Sequence, residues 1–349
     1  MSDCCCSTGS KRPSCCCSDS CGADERARSV STTLTLRDRF GGFKVRWGVN
    51  RMNYTVDPGL YAVGNPAAES PVLVTANYKL TFDTVRSNLA GIDCWLLALD
   101  TKGVNVWCAA GKGTFGTDEV VNRIEQVGLA KVVAHRELIL PQLCASGVNA
   151  LEVKRRSEFA VTFGPIRAAD IKEFINSGFT ATPEMRTARF TFADRLVLTP
   201  VEFASAAKAS APVLALLFLL NLVAARQFGS KDFIAYLGAL LVGTVVTPAL
   251  LPWIPGRAFS WKGWLLGFIW TALISWGFGW LSPSARMIGV GYLLLLPSVS
   301  AYFAMNFTGS STYTSFSGVI KEMKLTIPAI AASAVAGAVL ILIKTFARG

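Results

Sequence analysis

The rhythm of apolar and polar positions changes near residue 203. Upstream, short apolar runs alternate with helical spacings. Val72-Leu73-Val74 predicts a strand, Leu80 to Leu89 a helix, Cys94 to Leu99 a second strand and Val104 to Trp107 a third. Thr117 to Gly128 opens on Thr117-Asp118-Glu119, good first-turn chemistry, and predicts a helix. Lys131 to Ala134 and Phe159 to Phe163 read as further strands, and Ala168 to Gly178 as a helix ending on glycine. Strands alternating with helices predict an open α/β sheet, Rossmann-like, with ligands at the carboxyl ends of its strands. Downstream lie five apolar stretches, at about 205–225, 233–254, 263–282, 286–306 and 326–346. Each is close to the ~20 residues that span a bilayer. Trp253, Trp261, Trp264, Trp280 and Tyr302 sit at their ends, as in an aromatic belt. The expected fold is therefore an α/β open-sheet domain followed by an all-α transmembrane domain with five helices.

The domain reading has four parts. Residues 1–29 are a Cys-rich tail, nearly without apolar side chains and expected to be flexible. Residues 30–70 mix basic and aromatic positions (Arg37, Arg39, Phe40, Lys44, Arg46, Trp47) and are expected to wrap the next domain. Residues 71–200 form the α/β domain and 201–349 the transmembrane domain.

Composition agrees with a membrane protein. Apolar residues make up 52% of the 349 and charged residues 16%, below the roughly 25% of soluble domains. The net charge is +11. Without a dense Arg/Lys stripe, that points to basic loops facing an anionic membrane, not to nucleic acid. Arg186, Arg189, Arg195, Lys208, Arg257, Lys262, Lys321 and Lys324 fall on the α/β side of the five stretches. Arg226, Lys231, Arg286, Lys344 and Arg348 fall on the other. Eight against five places the α/β domain in the cytoplasm, with the chain multi-pass in the inner (cytoplasmic) membrane. The first residues do not read as a secretory signal. Cytoplasmic thiols stay reduced, so the ten cysteines read as ligands, nucleophiles or packing.

The run after Val104–Trp107 is Cys108-Ala109-Ala110-Gly111-Lys112-Gly113-Thr114-Phe115-Gly116. Gly111, Gly113 and Gly116 satisfy the dinucleotide-binding pattern G-x-G-x-x-G, with Glu137 downstream for a ribose, but after a third strand instead of a first. A P-loop fails, because Val106 stands where glycine is needed and Gly113 where Ser or Thr should follow Lys112. A third reading is a loop whose small residues let backbone and Cys108 approach a large planar cofactor. A packed, inert cysteine also fits the spacing.

The string from Asn105-Val106-Trp107-Cys108 to Thr117 closely resembles the signature of the mercury-methylating corrinoid proteins (HgcA family). Their corrinoid domain is related to the corrinoid iron–sulfur protein of the acetyl-CoA pathway. The resemblance continues in Pro58-Gly59-Leu60-Tyr61, Val74-Thr75-Ala76-Asn77-Tyr78-Lys79, His135-Arg136, Gly164-Pro165, Asp194 to Leu198 and Asn306 to Ser311. It implies an α/β corrinoid-binding domain and a corrinoid of the cobalamin type, with Cys108 as catalytic residue and lower axial ligand of its cobalt. Cofactor-binding candidates are Asn105, Val106, Trp107, Cys108, Ala109, Ala110, Gly111, Lys112, Gly113 and Thr114, with Thr75 and Asn77 at the end of the first strand. Asn105 and Trp107 are expected to orient the segment. Lys112 and the dipoles of a helix following the loop are expected to favour the Cys108 thiolate.

The implied activity is corrinoid-dependent methyl transfer to inorganic Hg(II), forming methylmercury. Mercury(II) is an electrophile and needs a methyl carbanion or radical, which an anionic sulfur ligand favours more than imidazole does. The histidine-ligand motif D-x-H-x-x-G is absent, since Val133 stands two before His135 and Leu138 three after. His135 itself reads as a satisfied structural histidine. The implied partners are a low-potential ferredoxin-type donor with [4Fe-4S] clusters and a methyl donor protein carrying a methyl-folate.

Cys4, Cys5, Cys6, Cys15, Cys16, Cys17 and Cys21 fit neither zinc-finger nor iron–sulfur spacings. Adjacent thiolates suit soft ions, so the tail is a candidate for capturing Hg(II). Adventitious binding by a flexible extension is the competing reading. Cys94 and Cys144 lie in apolar surroundings and read as packing residues. Other classes compatible with the sequence are a membrane metal sensor or nucleotide-binding carrier, and a corrinoid methyl carrier with another acceptor.

Overall fold

A computed structural model describes residues 27–220, 228–310, 313 and 316–346. The chain divides into two compact units: one from Met1–Leu34 with Thr55–Met185, the other from Thr35–Tyr54 with Arg186–Gly349. The excursion carrying helix α1 (Leu36–Arg46) thus belongs to the second unit. The seven cysteines of the tail lie outside the described residues.

The first unit is built on one six-stranded sheet. Its strands are β1 (Ala27–Val30), β2 (Gly59–Val63), β3 (Val72–Ala76), β4 (Cys94–Leu99), β5 (Glu137–Leu140) and β6 (Ala160–Phe163). Their order is β1-β2-β4-β3-β5-β6, and only the β2–β4 pair is antiparallel. All residues of β3 and β4 are buried, which is why both read as unbroken apolar runs instead of alternating ones. The crossover from β3 to β4 is α2 (Lys79–Ser87). From β4 the chain passes through α3 (Val106–Lys112) and α4 (Thr117–Val127) to β5, on the far side of β3. Helix α5 (Ala150–Ser157) joins β5 to β6, and α6 (Ile171–Asn176) follows. The connections leaving the adjacent strands β3 and β5 run in opposite directions along the sheet, one to β4 and the other to β6, so a crevice opens at the carboxyl ends of β3 and β5.

Two expected strands are absent. Val104–Trp107 is not a strand: Asn105 caps α3, and the cysteine run is helical from Val106. Ala109 and Ala110 favour that helix, and their small side chains pack inward. Lys131–Ala134 is replaced by a 3-10 turn (Leu129–Lys131) and loop, and the strand starts later, at Glu137. The left-handed Gly128 ends α4 and turns the chain there.

The second unit is helical, with α7 (Phe192–Leu220), α8 (Ser230–Leu241), α9 (Thr247–Leu250), α10 (Phe259–Gly277), α11 (Arg286–Asn306) and α12 (Phe316–Phe346). A π-helical stretch, Val242–Val246, joins α8 to α9. Pro248 lacks the N–H that would continue α-helical bonding, so the ladder shifts before it. Four of these segments are long and apolar enough to cross a membrane: Phe192–Leu219, Ser230–Leu250, Arg286–Gly309 and Ser317–Phe346. The sequence pattern predicts five. The fifth stretch does form a helix, α10, but Lys262 and its four tryptophans dilute the apolar run. Close helix packing rests on glycine, as in membrane bundles. A Cβ on Gly263 would sit 2.4 Å from Ala304 Cβ, and one on Gly337 2.5 Å from the Gly291 carbonyl oxygen.

Candidate functional site

Cys108 is exposed, on the first turn of α3. The side chain of Asn105 accepts the Cys108 backbone N–H at 3.0 Å, as an N-cap should. Val106, Ala109 and Ala110 are buried, so one face of α3 grips the domain. Trp107, Cys108, Gly111 and Lys112 are exposed on the other. Gly111 follows Cys108 by one turn, and a Cβ there would have nothing within 4 Å. Gly113 ends the helix in the left-handed region, at φ 78°. The sulfur therefore stands on an open, flat helical face. The glycine run follows a helix, not a strand, so the premise of the dinucleotide reading fails.

The segment before α3 is pinned from two sides. Asn77, at the end of β3, accepts the Thr101 N–H at 3.0 Å and donates to Asp100 Oδ1 at 3.2 Å. Thr101 Oγ1 donates to the Val104 carbonyl at 2.7 Å. From α4, Glu119 accepts the Asp100 N–H at 2.8 Å, and Arg123 holds Glu119 at 2.7 Å. Burial works to raise the Asp100 pKa, but hydrogen bonds from Lys102 outweigh it and hold the carboxyl below its ordinary value. Thr101 and Arg123 carried no sequence signal, and Glu119 only that of a helix start, because polar pins of this kind follow no motif. Asn77→Ala removes the tie between β3 and this loop. The expected loss is about 1–3 kcal/mol, measured by urea unfolding against the parent, and Asn77→Asp should recover part of it.

The far wall is the segment after β5. Helix α3 packs on the 3-10 turn Gln142–Cys144. A Cβ on Gly147 would lie 2.7 Å from the Phe115 carbonyl oxygen and 2.9 Å from that of Ala110, so only glycine lets this loop close on α3. Thr114 Oγ1 donates to the Ala109 carbonyl at 3.4 Å.

A planar corrin with rim amides needs an open face, a metal ligand and polar groups at its edge. Gly111 leaves the face of α3 open, and Cys108 puts an exposed thiol on it. Two buried polar atoms lack partners at adjacent strand ends: Thr75 Oγ1 in β3 and Gln142 Oε1 just past β5. Such orphans are uncommon in native interiors and fit a group that completes their hydrogen bonds. The residues present therefore fit the cofactor. Among the described residues no three of His, Cys, Asp or Glu converge on a possible metal position.

The remaining candidates are structural. His135 Nε2 donates to the Ser70 carbonyl at 2.9 Å and Nδ1 accepts the Glu137 N–H at 3.2 Å. It precedes β5, at the opposite end from Cys108. Cys94 and Cys144 are fully buried. Burial pushes both thiols up to about 12, with the Asp93 charge adding to the effect at Cys94. The unfolded chain would lose those protons from about pH 8.5 upward, while the native chain keeps them. Their contribution to stability is thus complete below that range and falls as pH rises toward 12. The urea midpoint should drop between about pH 9 and pH 11 more steeply for the parent than for the Cys94→Ala/Cys144→Ala double variant. Equal slopes would contradict the assignment.

Residues 48–174 match the family described as CO dehydrogenase/acetyl-CoA synthase delta subunit. The acetyl-CoA decarbonylase/synthase complex subunit gamma 2 of Methanosarcina mazei is 46% identical over 108 residues, 30% of this chain and 23% of the relative. Subunit gamma of Methanocaldococcus jannaschii is 41% identical over 106 residues, 30% and 22% of the two chains. Subunit gamma of Archaeoglobus fulgidus is 35% identical over 152 residues, 43% and 31%. The chain spans less than a third of the length of these relatives. The α/β unit is thus related to a domain of the acetyl-CoA decarbonylase/synthase subunits, and the matched residues include Cys108 and its supports.

Proposed function

We propose that this chain is a membrane-anchored, corrinoid-dependent methyltransferase. In this reading Cys108 Sγ would hold the cobalt of the corrinoid, and inorganic Hg(II) would be the methyl acceptor. The observation that carries the reading is the exposed Cys108 thiol, capped in place on α3 at the sheet's reversal point. The relation to the acetyl-CoA decarbonylase/synthase subunits supports a corrinoid domain. The resemblance of residues 105–117 to the mercury-methylating family supports the acceptor.

The corrinoid, when bound, supplies the cobalt that carries the methyl group and releases it as a carbanion or radical equivalent. The chain supplies the rest. Cys108 Sγ would hold the cobalt, and an anionic sulfur there would favour departure of the methyl group with its electrons. Asn105 fixes the turn bearing the sulfur, so that its position survives changes of ligand above. Gly111 keeps the helical face clear. Thr75 and Gln142 offer hydrogen bonds to the rim, and Lys112 reaches a carboxamide or phosphate. Electrons come from a low-potential ferredoxin-type protein with [4Fe-4S] clusters, and the methyl group from a protein carrying a methyl-folate. The helical unit anchors the chain in the inner membrane, with the α/β unit in the cytoplasm by the Lys/Arg balance.

The test is optical. The chain purified with cobalamin should give a cobalt–thiolate spectrum that Cys108→Ala abolishes. A spectrum indifferent to Cys108, or failure to bind cobalamin, overturns the reading.

A further inference from the structure

Helix α1 is held in the second unit by an unusual face. Thr35 and Asp38 form its capping box. Gly41, Gly42 and Val45 are buried. The fit at Gly41 leaves no room, since a Cβ would lie 2.4 Å from the Tyr54 hydroxyl oxygen. At its carboxyl end Trp47 meets Phe203 of α7 edge to face, with ring centroids 6.4 Å apart. The small face therefore holds α1 against its own unit.

The opposite face is large, apolar and uncovered. Leu36, Phe40, Phe43 and Trp47 are 85%, 62%, 56% and 39% exposed. At 100° per residue these four lie within an arc of about 60°. Arg37 and Lys44 border the arc on one side, Arg39 and Arg46 on the other. Lys44 lies over the Phe40 ring, 5.2 Å from its centroid. A helix meant for water would not present four large apolar side chains in one line. A helix buried in protein would not flank them with four cations on both sides.

Both features fit a helix lying in a membrane surface, with its apolar stripe among acyl chains and its bases reaching up to anionic headgroups. The anchor point agrees. Phe203 lies in α7 after Asp194, Arg195 and Glu202 and before Lys208 and the apolar run 211–220, so α1 is fastened to the polar half of a helix long and apolar enough to cross a membrane.

We infer that α1 is an interfacial helix whose Leu36–Phe40–Phe43–Trp47 stripe inserts into a leaflet rich in anionic lipid. The inference rests on the helical unit being membrane-embedded, so the experiment tests that separately. The full chain is placed in vesicles of phosphatidylcholine with phosphatidylglycerol, or of phosphatidylcholine alone. A spin label on a genetically encoded ketone residue replaces Phe40, Phe43, Arg37 or, in α12, Val335, which leaves native cysteines untouched. These side chains are exposed, so folding is spared. Collision with oxygen reports lipid, and collision with a water-soluble nickel chelate reports solvent.

Positions 40 and 43 should favour oxygen over nickel, as 335 does, and position 37 should favour nickel. Replacing Arg37, Arg39, Lys44 and Arg46 together by Gln should abolish any difference between the two lipid compositions at position 40. Nickel access at 40 and 43, with 335 in lipid, overturns the interfacial helix and leaves the membrane reading standing. Shielding of 40 and 43 from both reagents means that protein covers the stripe, and overturns it too. Nickel access at 335 overturns both.

Discussion

Cys108→Ala should reduce methylmercury formation by at least about a thousandfold, and Cys108→His should not restore it. The first variant removes the thiol that the proposed function assigns to cobalt, and among the described residues the exposed face of α3 carries no other sulfur, imidazole or carboxylate. The second keeps a ligand but exchanges an anionic sulfur for a neutral nitrogen, and axial ligand identity is the protein's main lever on a metal cofactor. A loss of about 4 kcal/mol in transition-state stabilisation corresponds to that factor. The readout is methylmercury formed per bound corrinoid, so weaker cofactor binding is divided out. Folding is not at stake, because Cys108 is exposed and its backbone N–H is held by Asn105 whatever the side chain. Full activity in Cys108→His would sink the electronic argument while leaving Cys108 as a site of binding.

Asp83→Ala should destabilise the α/β unit by about 3–5 kcal/mol, the usual consequence of removing one partner of a buried ion pair. Asp83 and Arg86 are 4% and 5% exposed. Arg86 Nε donates to Asp83 Oδ1 at 2.7 Å, and Lys79 Nζ reaches Oδ2 at 2.8 Å. Without the carboxylate, Lys79 and Arg86 both lose the counter-charge they share on α2. Arg86 also binds the Ser31 carbonyl oxygen and lies 3.3 Å from that of Thr33, so loosening it frees the segment that follows β1. Urea unfolding should show the lower midpoint, and Asp83→Asn should lose less because it keeps an acceptor. A change within 0.5 kcal/mol, typical of surface positions, would mean that the pair is solvated in solution.

Much of this architecture was legible in the sequence because burial on both faces leaves unbroken apolar runs. Val72 to Val74 and Cys94 to Leu99 read as strands for that reason, and Thr117 to Gly128 reads as a helix from its first-turn chemistry and its closing glycine. One mismatch lies where composition is ambiguous. Val104 to Trp107 has strand-like residues, but the capping of Cys108 N–H by Asn105 and the small Ala109 and Ala110 make the run a helix. That moved the cysteine from the end of a strand to the first turn of a helix. The positioning groups were not legible at all. Glu119 reaches the backbone beside Thr101 only when α4 meets the loop after β4, and Gln142 nears α3 only when the turn after β5 packs on it, and no local spacing encodes either meeting. The role of α1 was hidden differently. Its basic and aromatic residues were visible, but their sorting onto a line with bases on both sides appears only once the helix and its buried face are known.

The excursion of residues 35–54 into the second unit gives the chain three covalent crossings between the units, near 34/35, 54/55 and 185/186. A single proteolytic cut therefore severs nothing. The α/β unit comes free only when all three crossings are broken, and then as two pieces. A soluble truncation beginning at Thr55 would lack β1, the sheet's edge strand beside β2, and the carbonyls that Arg86 holds. A self-sufficient soluble version would have to keep residues 27–34 and replace the excursion with a short linker. The excursion that carries α1 is thus inserted within the α/β unit's own stretch of chain, between β1 and β2.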